Sequence, residues 1–204
     1  MSLLLPLFPL DVVLFPGASL PLHIFEPRYQ EMIGECLAEK KRFGVVRERE
    51  KGISEVGCAA EIVAVTHQYD DGRMDILTEG RERFQVLNLN RERAFLQGEV
   101  LYFEDGPEAA PAEQISRALE LHGEVLGLGG ATKGAPGRED PQLSFHLAAS
   151  LPLDLDFKEA MLGLRSEVER MQALIACYEA ILPNLRHAAH AREKAGGNGH
   201  VHGS

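Results

Sequence analysis

Two apolar runs near the start of the chain decide its fold, and they read Leu5-Pro6-Leu7-Phe8-Pro9-Leu10-Asp11-Val12-Val13-Leu14-Phe15-Pro16-Gly17 and Leu20-Pro21-Leu22-His23-Ile24-Phe25-Glu26-Pro27-Arg28-Tyr29. Residues 3–8 and 20–25 have the length and apolar character of strands, and Phe15-Pro16-Gly17 is typical of a turn between them. A proline cannot donate a hydrogen bond to a neighbouring strand, so Pro6, Pro9 and Pro21 predict edge or bulged strands. Proline is tolerated at the first helical position, so Glu26-Pro27 predicts the start of a helix.

Further strands are expected up to about residue 105. Residues 43–47 predict one strand, and residues 58–69 and 74–77 flank the turn sequence Asp70-Asp71-Gly72, which is a strong hairpin signal. Residues 84–89 and 95–103 predict another pair. Several short strands, one helix and many turns indicate a closed or nearly closed β-barrel over residues 1–106.

From residue 111 onward the apolar period becomes helical, and we predict an α-helical subdomain over residues 111–190. Residues 127–139 hold five glycines and one proline, which predicts a mobile loop. Asp140-Pro141 predicts a short helix that ends near Ser150. The glycine- and histidine-rich residues 191–204 predict a disordered tail.

The last predicted helix has the most regular pattern in the chain, with Asp154 or Asp156 as its cap and Pro183 as a kink or an end. Its apolar residues step alternately by four and three, which is the spacing of a heptad seam. Short connections favour packing of this seam within the chain over a dimeric coiled coil, so we expect a monomer or a weak dimer. The seam comprises Phe157, Met161, Leu164, Val168, Met171, Ile175, Tyr178, Leu182 and Leu185.

The chain of 204 residues carries a net charge of −10, and acidic residues outnumber basic ones on both sides of Gly106. Binders of nucleic acid owe much of their affinity to Lys and Arg that neutralise phosphates, so this balance argues against nucleic acid as a partner. No apolar run is long enough to span a bilayer. The apolar start lacks a preceding basic segment and meets Asp11 before a cleavage site, so we expect a cytoplasmic protein without a membrane partner.

Residues with metal-binding potential are scattered along the chain. Cys36, Cys58 and Cys177 lie far apart without a C-x-x-C pair, which argues against a disulfide framework and a zinc site. His187 and His190, like the histidines at positions 200 and 202, lack a third ligand on a rigid scaffold. We therefore expect no metal.

Catalytic motifs are missing from the sequence as well. In the glycine-rich residues 127–134, Thr132 precedes Lys133 and Gly134 follows it, which is not the order of a Walker A motif. The sequence has no G-x-S-x-G elbow, and none of its carboxylates reads as an acid–base pair. We expect no catalytic residue, no cofactor and no enzymatic activity.

The opening stretch resembles the start of the Lon substrate-binding domain family. The segments that follow are similar to that family in the same order, and they are residues 43–46, 56–62, 75–84 and, more weakly, 148–153. The resemblance implies an α+β fold, in which a PUA-like β pseudo-barrel is followed by a C-terminal helical bundle. It also implies a stand-alone member, because neither an ATPase motif nor a serine–lysine peptidase site can be matched.

What the resemblance implies for function is recognition without catalysis. The expected partners are exposed apolar segments of unfolded or damaged polypeptides, and a separate protease or chaperone that acts on them. Such binding needs an apolar cleft that stays open in the monomer. We place it at the joint between barrel and bundle and expect Phe15, Ile24, Phe25 and Leu151 to line it.

Two alternatives stay open. A small-molecule sensor or enzyme would use a pocket of the barrel with His23 or His67 as its reactive group. RNA binding, by analogy with other PUA-like folds, is disfavoured by the negative charge.

Overall fold

A six-stranded sheet forms the first half of the structure, a computed structural model that describes residues 4–129 and 136–197. The strands are β1 (Leu5–Leu10), β2 (Ser19–Ile24), β3 (Phe43–Arg49), β4 (Gly52–Gln68), β5 (Met74–Asn90) and β6 (Gln97–Phe103). The helices are α1 (Pro27–Glu39), α2 (Ala112–Gly129), α3 (Leu143–Ala149), α4 (Leu155–Gly163) and α5 (Glu167–Gly197). The expected α+β fold with a helical C-terminal part is confirmed.

The sheet closes into a barrel. Its order is β2-β5-β4-β3-β1-β6, and β6 pairs in turn with β5. The prediction of an edge or bulged strand is wrong for β1, because β1 runs parallel to β3 and antiparallel to β6 without a register shift. Strand β1 can keep this inner position because residues between its prolines still have N–H groups to donate. The Leu7 N–H, for example, donates to the Leu96 carbonyl at 2.8 Å. Strand β2 pairs with β5 alone, so the edge position predicted from Pro21 is confirmed.

The predicted hairpin is the longest pairing in the barrel. Gly72 has a φ of 87° in the turn between β4 and β5, and each of these strands has 17 residues. We predicted separate strands at 74–77 and 84–89, but β5 runs through both. Gly80 does not break the strand. A Cβ there would lie 2.1 Å from the Phe15 carbonyl oxygen, so this glycine allows the loop after β1 to cross β5.

The long helix predicted from the heptad seam is wrong in one respect, because it is split into α4 and α5 at residues 164–166. The guanidinium of Arg83 donates to the carbonyls of Leu162 and Leu164, and Arg170 also donates to Leu164. These carbonyls are therefore bonded to side chains from other positions, which accounts for the interruption. Of the two predicted caps, Asp154 and Asp156, it is Asp154 that caps α4, by accepting from the Asp156 and Phe157 N–H groups.

Helix α5 is longer than predicted. It continues through Pro183, which is exposed, because Tyr178 and Leu182 in the preceding turns are buried and their packing outweighs one lost hydrogen bond. It also covers residues 191–197, which we had assigned to a disordered tail. The other tail residues, 198–204, lie outside the described part of the chain, as do residues 130–135 of the predicted mobile loop.

The short helix predicted from Asp140-Pro141 begins later than predicted. Helix α3 starts at Leu143, since Asp140 accepts from the Gln142 N–H at 2.9 Å and closes a turn ahead of the helix. Behind α3, one apolar cluster continues from the barrel into the helices. Phe15 stacks on Phe145 across this joint, with ring centroids 5.4 Å apart. Barrel and helices therefore share a core.

Candidate functional site

An apolar groove of about 650 Å³ lies among the C-terminal helices. Four segments build its walls: the end of α2, the residues between α3 and α4, the first turn of α4, and the middle of α5. This volume falls in the range of protein sites that hold small molecules or side chains of a partner. The apolar wall consists of Val125, Leu126, Leu151, Leu153, Phe157, Cys177, Ile181 and Leu185.

Helix α5 provides one accessible wall of this groove. Cys177, Ile181 and Leu185 recur every four residues, so they lie on one face of the helix. All three are only partly buried, as are Leu153 and Phe157 on the opposite side. The apolar surface is thus left open to a partner.

A chain of hydrogen bonds lies beneath one end of the groove and links α2, α3 and α5. The Ser150 hydroxyl donates to the Leu147 carbonyl at 3.0 Å, so its oxygen is free to accept from His122 Nε2–H at 3.2 Å. Nδ1 of His122 then accepts from the Tyr178 hydroxyl at 3.0 Å. Burial lowers the pKa of His122 and raises the pKa of Tyr178, so both groups are neutral. These hydrogen bonds position the groove walls without placing a charge beside the groove.

The structure does not bring the four predicted contact residues together in one cleft. Phe15 and Ile24 are each 1% exposed and belong to the core. Phe25 is 59% exposed, but it lies on the barrel and lines a different pocket. Only Leu151 lines the apolar groove. Sequence reasoning missed the α5 residues because Cys177 and Ile181 lie outside the predicted heptad seam and Leu185 was assigned to internal packing.

The pocket that Phe25 lines, at the mouth of the barrel, is the place that the small-molecule alternative requires. It has a volume of about 610 Å³, and half of its lining residues are polar or charged, among them His23, Arg28 and Arg49. His23 Nδ1 lies 2.5 Å from the Asp75 carboxylate, which also accepts from the Tyr69 hydroxyl at 2.9 Å. His67 packs against Tyr69 with ring centroids 4.3 Å apart. No serine, threonine or cysteine of the described chain lines this pocket.

The described residues form no recognisable metal site. Across residues 4–129 and 136–197, no group of three His, Cys, Asp or Glu side chains is placed to hold a metal ion. The three cysteines are free thiols, and burial raises the pKa of Cys58 to about 12.

Comparison with known proteins identifies the family. The model of the ATP-dependent protease La (LON) substrate-binding domain matches residues 4–177. The chain belongs to this family. Membership in the Lon substrate-binding domain family gives the chain a general role in substrate recognition, and this domain is the non-catalytic part of Lon.

Several Lon proteases share sequence with the chain. Lon protease 1 of Hydrogenovibrio crunogenus is 29% identical over 191 residues, which cover 83% of this chain and 23% of that protein. Lon protease of Parabacteroides distasonis is 32% identical over 110 residues, which cover 50% of this chain and 13% of that protein. The chain thus spans a quarter or less of the length of these relatives.

Solved Lon domains have the same fold. The Lon N-terminal domain protein from Xanthomonas campestris is 27% identical, with a TM-score of 0.70, and covers 85% of this chain and 98% of its own. The N-terminal domain of Mycobacterium avium complex Lon protease is 18% identical, with a TM-score of 0.62, and covers 86% and 98% respectively. The second likeness supports the fold alone. No helix in the described residues is both long and apolar enough to cross a membrane.

Proposed function

We propose that this Lon substrate-binding domain binds apolar segments of unfolded or damaged polypeptides in the groove between α2 and α5. The observation that carries the proposal is the partly open wall formed by Leu153, Phe157, Ile181 and Leu185. A folded protein buries its own apolar segments, so a groove of this kind selects chains that have lost their fold.

Burial of client side chains supplies the affinity in this proposal. Each large apolar side chain that leaves water contributes roughly 1.5–3 kcal/mol. Three of them contribute roughly 4.5–9 kcal/mol. After the cost of association and of ordering the client is subtracted, this corresponds to a weak Kd, on the order of 1 mM. Weak binding of this order suits a module that hands its client to a separate protease or chaperone. We place this activity in the cytoplasm, in a monomer or a weak dimer.

The experiment compares two states of one client protein. A disulfide-containing protein that has been reduced and carboxymethylated cannot refold, and we expect the chain to capture it but not its native form. Ile181→Asp should lower this binding at least tenfold, because it places a charge in the groove wall. Ala180→Asp is the matched control, since Ala180 is the exposed neighbour on the same helix. Equal capture of both client forms, or equal binding by both variants, would contradict the proposal.

Cys177 offers a second readout that needs no variant. It lines the groove and is partly exposed, whereas Cys36 and Cys58 are buried at 3% and 0% exposure. Alkylation by a maleimide should therefore occur first at Cys177. Unfolded client should slow this reaction, and native client should not.

The pocket at the barrel mouth gives a second candidate function, favoured by the hydrogen bond between His23 and Asp75. It predicts that a metabolite raises the melting temperature and that His23→Ala abolishes this rise. Binding of RNA is a weaker third candidate, because the net charge of −10 repels phosphate.

A further inference from the structure

The outer edge of β4 is unpaired over its second half. Strand β3 pairs with β4 only as far as Ala60, whereas β5 pairs with β4 as far as Gln68. Within the described chain, residues 61–68 therefore have a neighbouring strand on one side only. Main-chain N–H and C=O groups on the other side are available to a further strand.

From residue 62 onward, this edge lacks the proline and charged side chains that often protect a sheet from strand addition. Residues 62–68 read Ile-Val-Ala-Val-Thr-His-Gln and contain no proline and no Lys, Arg, Asp or Glu. Val63 and Val65 are 45% and 42% exposed. The other edge strand, β2, is only six residues long and has Pro21 within it. The same sheet thus has one protected edge and one open edge.

From this contrast we infer that the β4 edge binds an extended polypeptide segment, which adds to the sheet as a further strand. Main-chain hydrogen bonds would supply affinity, and contacts with Val63 and Val65 would favour β-branched and apolar residues. Register shifts between Ile62 and Ala64 and between Val65 and His67 twist the strand. The added strand is accordingly short, about four residues.

Charge selects the occupant. A second copy of this chain could pair its own β4 edge with this one in a two-fold antiparallel arrangement centred near Val65 or Thr66. Glu61 of each copy would then face residues 69–71 of the other, which include Asp70 and Asp71. Like charges at both ends and a net charge of −10 on each copy oppose this pairing. An uncharged segment with basic flanks meets no such repulsion, so the occupant is a client polypeptide of that kind.

The inference rests on polypeptide recognition as the role of the domain, but it does not depend on the groove. The probe is a fluorescein-labelled peptide, Lys-Val-Thr-Val-Thr-Val-Lys, and the readout is fluorescence anisotropy. A second peptide has the same side chains and N-methyl groups at alternate residues, which removes main-chain donors. We expect the N-methylated peptide to bind at least tenfold more weakly to the unaltered chain.

Variants locate the site. Val63→Lys combined with Val65→Lys should weaken binding of the first peptide at least tenfold, because lysine on an edge opposes strand addition. Leu87→Lys combined with Leu101→Lys makes the same change at side chains that are 51% and 55% exposed elsewhere on the barrel, and it should leave binding unchanged. Equal binding of both peptides, no binding at all, or equal effects of the two double variants would overturn the inference.

Two further measurements separate this site from its rivals. Ile181→Asp, which is designed to block the groove, should leave the peptide affinity unchanged. Loss of peptide binding in this variant would overturn the edge assignment and point to the groove instead. We also expect that sedimentation of the chain alone shows no dimer formed through the β4 edge. A dimer that is lost when Val63 and Val65 are replaced by lysine would overturn the choice of occupant.

Discussion

Arg170 on α5 donates from Nη1 to Oδ1 of Asp105 at 2.8 Å and so ties the helices to the end of the barrel. Arg83 on β5 donates to the same carboxylate, and both guanidinium groups are buried. Removing one partner of a buried ion pair typically costs about 3–5 kcal/mol. The Asp105 side chain is 37% exposed, so we expect a smaller loss of about 2 kcal/mol for Asp105→Ala. Urea unfolding measures it, with the exposed Glu108→Ala as the control; equal losses would contradict this role.

The two phenylalanines predicted to line one cleft should behave differently. Phe15 is buried against Phe145, so Phe15→Ala should lower the free energy of unfolding by about 3–5 kcal/mol. Phe25 is 59% exposed, and Phe25→Ala should change the free energy of unfolding by less than about 0.5 kcal/mol. Denaturant titration of both variants tests this contrast, which fails if the two losses are similar.

Two glycines make a second matched pair. Gly80→Ala places a methyl group against the backbone of Phe15 and should lower the free energy of unfolding by about 1–3 kcal/mol. Gly123 lies in α2 with nothing within 4 Å of its would-be Cβ. Gly123→Ala should therefore stabilise the chain by about 0.5–1 kcal/mol. Thermal melts of the two variants should shift in opposite directions, and a shift in the same direction would contradict the assignment.

Acid should weaken the structure through His122. Because burial lowers the pKa of His122 in the folded chain, the unfolded chain takes up a proton first as the pH falls below about 6.5. Stability is thus fully present above that pH and declines as the pH falls through the lower folded pKa. Unfolding measured from about pH 7.5 down to about pH 5 should be less pH-dependent in His122→Gln than in the unaltered chain. An identical dependence would exclude His122 as the cause.

Heating should unfold barrel and helices together. The main apolar cluster includes barrel residues such as Ile24 and Phe43 and helical residues such as Leu147 and Tyr178. Because most buried apolar residues of both parts belong to this one cluster, we expect one transition that is shared by circular dichroism and tyrosine fluorescence. Two separated transitions would show that residues 1–106 and 111–190 fold independently.

Local signals were the most reliable guide to this fold. Pro27 marked the first residue of α1, Asp154 marked the cap of α4, and Gly72 marked the turn of the long hairpin, because each acts through its immediate neighbours. The order of motifs along the chain also gave the correct family, which the match over residues 4–177 confirms.

Features that depend on distant residues were not predicted. The interruption between α4 and α5 depends on Arg83, which lies 81 positions before the Leu164 carbonyl that it contacts. The groove needs Val125, Leu151 and Ile181 from three separate segments. A heptad pattern shows that a residue is apolar, but it does not show whether a neighbouring helix covers it completely.

The position of β1 between β3 and β6 has a consequence for the nascent chain. Leu5 pairs with Gly98, so the ring of strands stays incomplete at least until β6 has been synthesised. At a synthesis rate of about 5–20 residues per second, this takes roughly 5 to 20 s. During this interval β1 lacks β6, one of its two neighbouring strands. The partly synthesised domain is then itself a polypeptide with exposed apolar residues.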